Sequence, residues 1–192
     1  TSIPAGLFDN NTQVTSFSYC FYSNRLTSIP VGLFDNCTQV TNFSYCFGNN
    51  QLTSIPAGLF DNCTQVKNFS NCFYSNQLTS IPENLFDNCT KVTNFSGCFY
   101  DNQLTSIPVG LFDKCIQVTD FSSCFYNNRN LKLNKYIFYS EGQQSTRFLN
   151  QSVNFGNCFS RDSYISPDAE GGEAPDLWNC DFGTGTPTKT GC

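Results

Sequence analysis

The sequence predicts a solenoid, a stack of short coils each too thin to bury its own apolar side and stable only against its neighbours. Three observations carry that expectation. The tetrapeptide TSIP stands at positions 1, 27, 53, 79 and 105, a period of 26 residues, and a fixed period of this size is the mark of a repeat architecture. Apolar residues keep fixed columns within the period, in the third coil Ile55, Leu59, Phe60, Cys63, Val66, Phe69, Cys72, Phe73 and Leu78. The composition is skewed away from a mixed globular core, with twenty Phe and twelve Cys but one Trp, no Met and no His among 192 residues.

Each coil reads as two short extended pieces, LTSI and VTNF, each followed by a tight helical turn. Proline at the head of PxGLFDNC suits the first position of such a turn, where its missing N–H costs nothing. The column Gly6, Gly32, Gly58, Asn84 and Gly110 holds only residues that tolerate a positive φ, so it is read as backbone geometry. The column Asn24, Asn50, Asn76, Asn102 and Asn128 is the same residue in all five coils. An inward asparagine bonds the backbone of its own turn and of the neighbouring coil, so this column is expected to be a structural ladder.

Residues 1–130 are thus five repeats. After Asn130 the period breaks: residues 131–159 keep an Ile137–Phe138 pair and a VNFGNCF that echoes VTNFSYCF, with about eight extra residues between them. That segment is expected to be a degenerate coil capping the stack. Residues 160–192, rich in Gly, Pro and acids, are expected to form an irregular tail packed only around Leu177 and Trp178.

The charge balance narrows the function. A net charge of −5 offers no basic stripe for phosphate backbones, so no nucleic acid is expected as a partner and an anionic membrane surface is disfavoured. No run approaches the roughly 20 apolar residues of a transmembrane segment. The chain opens on TSIP without a signal-peptide pattern, and with no Met it is expected to be processed or excised. Paired carboxylates, a catalytic triad, a phosphate loop and a metal cluster are all missing from the pattern, so neither an enzyme nor a cofactor is expected.

The signature NxLTSIPxGLFDxC, carried by Asn50, Leu52, Ile55 and Pro56, resembles the leucine-rich repeat. The pieces FDNCTQV and VTNFSYCF are more specific and resemble the BspA-like leucine-rich repeat surface proteins in their 26-residue bacterial variety. The stretch APDLWNCDFGTGTPTKTGC is similar to a segment that follows such repeats in proteins of Bacteroides-type bacteria and their phages. The resemblance implies a right-handed leucine-rich-repeat-like solenoid with short parallel strands, export to the cell surface, and non-enzymatic binding of proteins or glycans. It supplies no ligand, and Phe and Cys standing where Leu is usual leave the coil cross-section and curvature open.

Nine cysteines lie in two columns, Cys37, Cys63, Cys89, Cys115 and Cys20, Cys46, Cys72, Cys98, Cys124; Cys158 continues the second, and Cys180 and Cys192 lie in the tail. Without a CxxC pair or any His, a metal site is disfavoured, and without a base so is a nucleophilic thiol. Two readings stand: free thiols packed as small hydrophobes, or bridges from the second column to the first column of the next coil, 20–37, 46–63, 72–89 and 98–115, with 124–158. Packing is the favoured reading in the repeats, and Cys180–Cys192 is the bridge most expected.

Exposed columns of a solenoid form stripes, and a stripe that varies between coils is where binding would be written. The most variable is Tyr19, Tyr45, Asn71, Gly97 and Ser123. Beside it run Tyr22, Gly48, Tyr74, Tyr100 and Tyr126, and on the coil edge Arg25, Gln51, Gln77, Gln103 and Arg129. Flat amphipathic rings beside amides suit protein or carbohydrate surfaces, although the same tyrosines could simply shield the turns. The column Asp9, Asp35, Asp61, Asp87 and Asp113 is read as Asx turns in preference to a calcium site. The functional expectation is an extracellular or cell-surface bacterial binding module for a host or neighbouring-cell protein or glycan. The alternative is structural: a spacer, a phage tail-fibre segment or a filament subunit that associates end to end through an open first coil.

Overall fold

The structure, a computed structural model, describes residues 2–132, 138, 147–159 and 182–188. Its coils stack in parallel, joined by one bridging residue per coil in the series Ser16, Asn42, Asn68, Asn94, Asp120, Asn154 and Thr188. The first four steps are 26 residues long and the last two are 34, yet register is kept. The coil expected to close the stack therefore receives a further rung. Phe182 of the tail stacks on Phe148 at 5.7 Å, and Thr188 N–H donates to Val153 O at 2.9 Å. Leu177 and Trp178 lie outside the described residues.

The expected helical turns and strands are both corrected. No helix occurs among the described residues, and each extended piece shrinks to a single bridge on the VTNF side and none on the LTSI side. In coil two the turn bonds are isolated: Asp35 N–H to Gly32 O, Cys37 N–H to Phe34 O and Val40 N–H to Cys37 O. A helix needs consecutive bonds, whereas these are spaced two and three residues apart and start at Gly32, which sits outside the helical region at φ 75°. Two more left-handed positions follow in the same coil, Tyr45 at 55° and Asn49 at 55°. The pattern repeats as Gly58, Asn71, Ser75, then Asn84, Gly97, Asp101, then Gly110, Ser123, Asn127.

The interior is an aromatic spine. All nine apolar positions of the third coil are buried, and three phenylalanine columns run the length of the stack. Successive rings in the Phe34, Phe60, Phe86, Phe112 column are 6.1, 6.1 and 6.0 Å apart. In the Phe47, Phe73, Phe99, Phe125 column they are 5.6, 5.7 and 5.6 Å apart, and Tyr100 and Tyr126 are 5.3 Å apart. Equivalent side chains are carried from coil to coil by one rigid displacement, so unequal separations mean the stack bends. The Phe34 side is the longer, outer one, and the tyrosines lie on the inner side.

The asparagine column ties each coil to the one before. The Nδ2 amide of Asn102 donates to Phe73 O, Phe99 O and Tyr100 O at 3.0, 3.2 and 3.3 Å, while its Oδ1 accepts from Leu78 N–H at 3.1 Å. Asn50, Asn76 and Asn128 repeat the arrangement and are likewise buried. Asn24 differs: it is exposed and its amide donates only to Tyr22 O.

Cys20 is an exposed free thiol, and Cys37, Cys46, Cys63, Cys72, Cys89, Cys98, Cys115 and Cys124 are buried free thiols; Cys158 is buried as well. None of the cross-column bridges forms, because a thiol's near neighbours are its own column: Cys46 lies beside Cys20 and Cys72, and Cys63 beside Cys37. The first column points its S–H groups at backbone, Cys115 Sγ donating to Cys89 O and Phe86 O at 3.7 Å each. Where this column ends, buried Arg147 takes over, its Nη2 donating to Cys115 O at 2.8 Å. Cys180 and Cys192 lie outside the described residues.

Two predictions follow from this packing. Asn102→Ala leaves the buried Leu78 N–H without its acceptor and takes one of two donors from each of Phe73 O, Phe99 O and Tyr100 O, and lowers stability by about 3 kcal/mol in urea unfolding, whereas Asn24→Ala changes it by less than about 0.5 kcal/mol. Burial also pushes the Cys63 and Cys115 thiols from 9.0 to about 12. Above the ordinary thiol value the unfolded chain releases these protons while the folded chain keeps them. Stability is therefore fully present below 9.0 and falls as pH rises toward about 12, by about 1.4 kcal/mol per thiol per pH unit. Urea midpoints at about pH 8 and about pH 11 measure the fall, and a Cys63→Ala/Cys115→Ala chain should show a shallower one.

Candidate functional site

The variable column of the sequence sits at a left-handed backbone position, with φ 59° at Tyr19, 55° at Tyr45, 54° at Asn71, 59° at Gly97 and 54° at Ser123. In the first two coils its side chain is a tyrosine ring, and in the next three it is small. The loss of the ring opens a groove of about 540 Å³ on the inner side of the bend. Tyr22, Tyr45, Tyr74 and Tyr100 wall it, and Asn71, Gly97 and Ser123 form the floor with Ser96 and Ser122.

Glycine at position 48 shapes one end. A Cβ there would lie 3.1 Å from Tyr22 Cδ2 and 3.3 Å from Asn71 O, so the Tyr22 ring lies across coil two and reaches the groove. The rings are linked along the stack, Tyr22–Tyr45 at 5.9 Å and Tyr45–Tyr74 at 6.5 Å edge to face, and Tyr74–Tyr100 at 5.4 Å with the rings tilted by 38°. Tyr100 stacks face to face on Tyr126, and beside Gly48 the row is interrupted, Tyr45 and Tyr74 meeting edge to face.

The floor is stiff. Ser96 N–H donates to Asn94 Oδ1 at 2.7 Å and Ser122 N–H to Asp120 Oδ1 at 2.8 Å, as Ser44 does to Asn42 and Ser70 to Asn68. These are Asx turns, so the turn expected of the Asp9 column is made by the bridging Asn column. The Asp35 carboxylate instead folds back over its left-handed glycine, where a Cβ at Gly32 would lie 3.0 Å from Asp35 Oδ2.

No charged side chain lines the groove. Burial and the neighbouring phenols raise the Tyr45 hydroxyl; burial, Asp101, Tyr126 and Tyr74 raise that of Tyr100. Both stay protonated at neutral pH. Among the described residues no group of three or more His, Cys, Asp and Glu could hold a metal ion.

The residues singled out in the sequence are divided by the structure. Tyr22, Tyr45, Tyr74 and Tyr100 come together; Tyr19 and Tyr126 extend the ring row beyond the groove at either end, stacked on Tyr45 at 4.6 Å and on Tyr100 at 5.3 Å. Gln103 and Arg129 line a separate depression of about 230 Å³ with Asp101, Asn102, Asn127 and Asn130. Arg25, Gln51 and Gln77 are exposed and line neither. Sequence reasoning passed over Ser96 and Ser122. Their signal was present, because Ser18, Ser44, Ser70, Ser96 and Ser122 form an unbroken serine column.

Comparison with known proteins places this geometry in a family. The BspA type leucine rich repeat region matches residues 1–145 in six copies. No curated protein matches the sequence. Among solved structures, the leucine-rich repeat domain of APL1 is similar with a TM-score of 0.59 and 17% identity over 83% of this chain and 37% of that one. The LRIM1/APL1C complex gives 0.58 and 18% over 83% and 26%, and the Drosophila Toll–Spatzle complex 0.53 and 22% over 83% and 27%. The chain thus spans well under half the length of these structures, and at such identities the likeness is one of fold. No helix of the described residues is long and apolar enough to cross a membrane. With most of its length matched in repeated copies, the chain belongs to the BspA-type leucine-rich repeat family.

Proposed function

We propose that the chain is a non-enzymatic binding module, displayed outside or on the surface of a bacterial cell, that holds a protein or glycan of a host or neighbouring cell in the tyrosine groove. The observation that carries this reading is the change along one column from Tyr19 and Tyr45 to Asn71, Gly97 and Ser123, which opens a lined concavity in an otherwise uniform stack. Uniform coils would serve a spacer equally well; a graded column serves recognition. Kinship with leucine-rich repeat proteins supports it, as two of the similar structures are protein complexes, Toll–Spatzle and LRIM1/APL1C. The groove presents hydroxyls and an amide, and no imidazole, carboxylate or thiol that could move a proton.

The structural reading, in which coils associate end to end, is favoured by one feature. The Asn and Phe columns repeat unchanged from the second coil to the fifth, a uniformity that suits a spacer or filament.

A panel of extracellular-matrix proteins and glycans tests the two. Tyr74→Ala/Tyr100→Ala is expected to weaken a bound partner by about tenfold or more, since buried aromatic anchors contribute about 2 kcal/mol or more each at such sites. Equal binding by both chains would remove the groove reading. Silence across the panel, with particle size rising with concentration in light scattering, would favour the structural one.

A further inference from the structure

We infer that the groove takes a linear, uncharged oligosaccharide laid along the stack across coils three to five. This rests on the groove being the binding site and adds the class of ligand, which follows from what the lining offers and what it lacks.

A peptide has few ways to be held here. Adding a strand requires unpaired backbone N–H groups, but those of the floor are already bonded between coils: Asn71 N–H to Ser96 O and Gly97 N–H to Ser122 O at 2.8 Å, Ser123 N–H to Gly156 O at 2.9 Å. An amphipathic helix requires aliphatic pockets for its anchors, and no Leu, Ile, Val or Met lines the groove. A phosphopeptide requires an arginine cluster, and none is there. A protein surface requires about 20–30 residues a side, against nine lining residues in a concavity of a size that suits small ligands.

What remains matches a sugar. Tyrosine, serine and asparagine groups both donate and accept hydrogen bonds, as sugar hydroxyls do. The tyrosine rings that wall the groove can pack against the C–H face of a pyranose. Tyr74 and Tyr100 are 5.4 Å apart, close to the length of one unit in an extended pyranose chain, so successive coils meet successive units in equivalent ways.

The ligand is uncharged because the carboxylates described beside the lining, Asp101 and Asp120, are negative. Asp101 adjoins Tyr100, its Oδ2 accepting from Ser75 Oγ at 3.1 Å and its Oδ1 from Asn127 Nδ2. That carboxylate, in a chain of net charge −5, repels carboxylated or sulfated sugars.

The test uses the full chain, calorimetry, and two ligand sets: uncharged linear gluco-, manno-, galacto-, xylo- and N-acetylglucosamine oligosaccharides, and carboxylated or sulfated ones. Ser123→Tyr refills the floor at a backbone position where Tyr19 and Tyr45 already sit in this fold at φ 59° and 55°, and a retained thermal midpoint confirms that the variant is folded. Expected are binding of an uncharged oligosaccharide, affinity that rises from disaccharide to tetrasaccharide, and a loss of about tenfold or more in Ser123→Tyr. Binding of acidic sugars alone, no uncharged sugar bound, or a folded Ser123→Tyr that binds as well as the parent would each overturn the inference. If sugars are silent but a protein partner is lost in Ser123→Tyr, the oligosaccharide is wrong and the groove stands. If no interaction of any kind responds to Ser123→Tyr, the groove itself is wrong.

Discussion

One buried carboxamide per coil sets the terms for the rest of the structure. A 26-residue circuit that reverses direction by left-handed turns leaves carbonyls and N–H groups facing inward, where no neighbouring strand can reach them. The side chains of Asn50, Asn76, Asn102 and Asn128 take up these groups from two adjacent coils at once. An unpaired polar group in such an interior costs about 1–3 kcal/mol, so the amide acts as a clamp between coils. It fixes register between the coils of the 26-residue period.

With register held, the core can be built from identical side chains placed on top of one another. Phenylalanine rings repeat at 5.6–6.1 Å within the interior columns, an offset-stacked spacing. Tilted contacts such as Phe43–Phe60 at 4.9 Å lock one column to the next. Cysteine fits beside them because a free thiol is small, apolar and able to offer its weak donor to a carbonyl. The same burial that suits the thiol in the core keeps it protonated, a separation of packing from chemistry that, among the described residues, leaves only Cys20 at the surface.

The groove is a by-product of the turn chemistry turned to use. Non-glycine residues at positive φ carry a cost of about 1–2 kcal/mol, and this fold bears it at two columns per coil beyond the glycine one. One of those columns faces the inner, shorter side of the bend. There a tyrosine closes the surface and a small residue opens it, so a ligand site can be lengthened, shortened or moved by single substitutions without disturbing the Asn and Phe columns beneath. Conformation is held by one set of positions and recognition is written in another.

The sequence by itself determined the solenoid, its period, the nine buried columns of a coil and the inward asparagine positions, because each is a regularity along the chain: only repeated identity at fixed spacing was needed to see it. The glycine column was legible for the same reason, since Gly and Asn are what a positive φ admits. The tyrosine stripe was legible as composition, but not as a site. Tertiary structure decided that Tyr22 crosses over Gly48, that Asn71, Gly97 and Ser123 share a floor, and that Gln103 and Arg129 belong elsewhere. It also decided that PxGLFDNC is no helix, because Gly32 is left-handed and the turn bonds that follow it are isolated. These outcomes depend on contacts between residues 26 or more apart and on the bend of the stack, neither of which is a property of any single repeat.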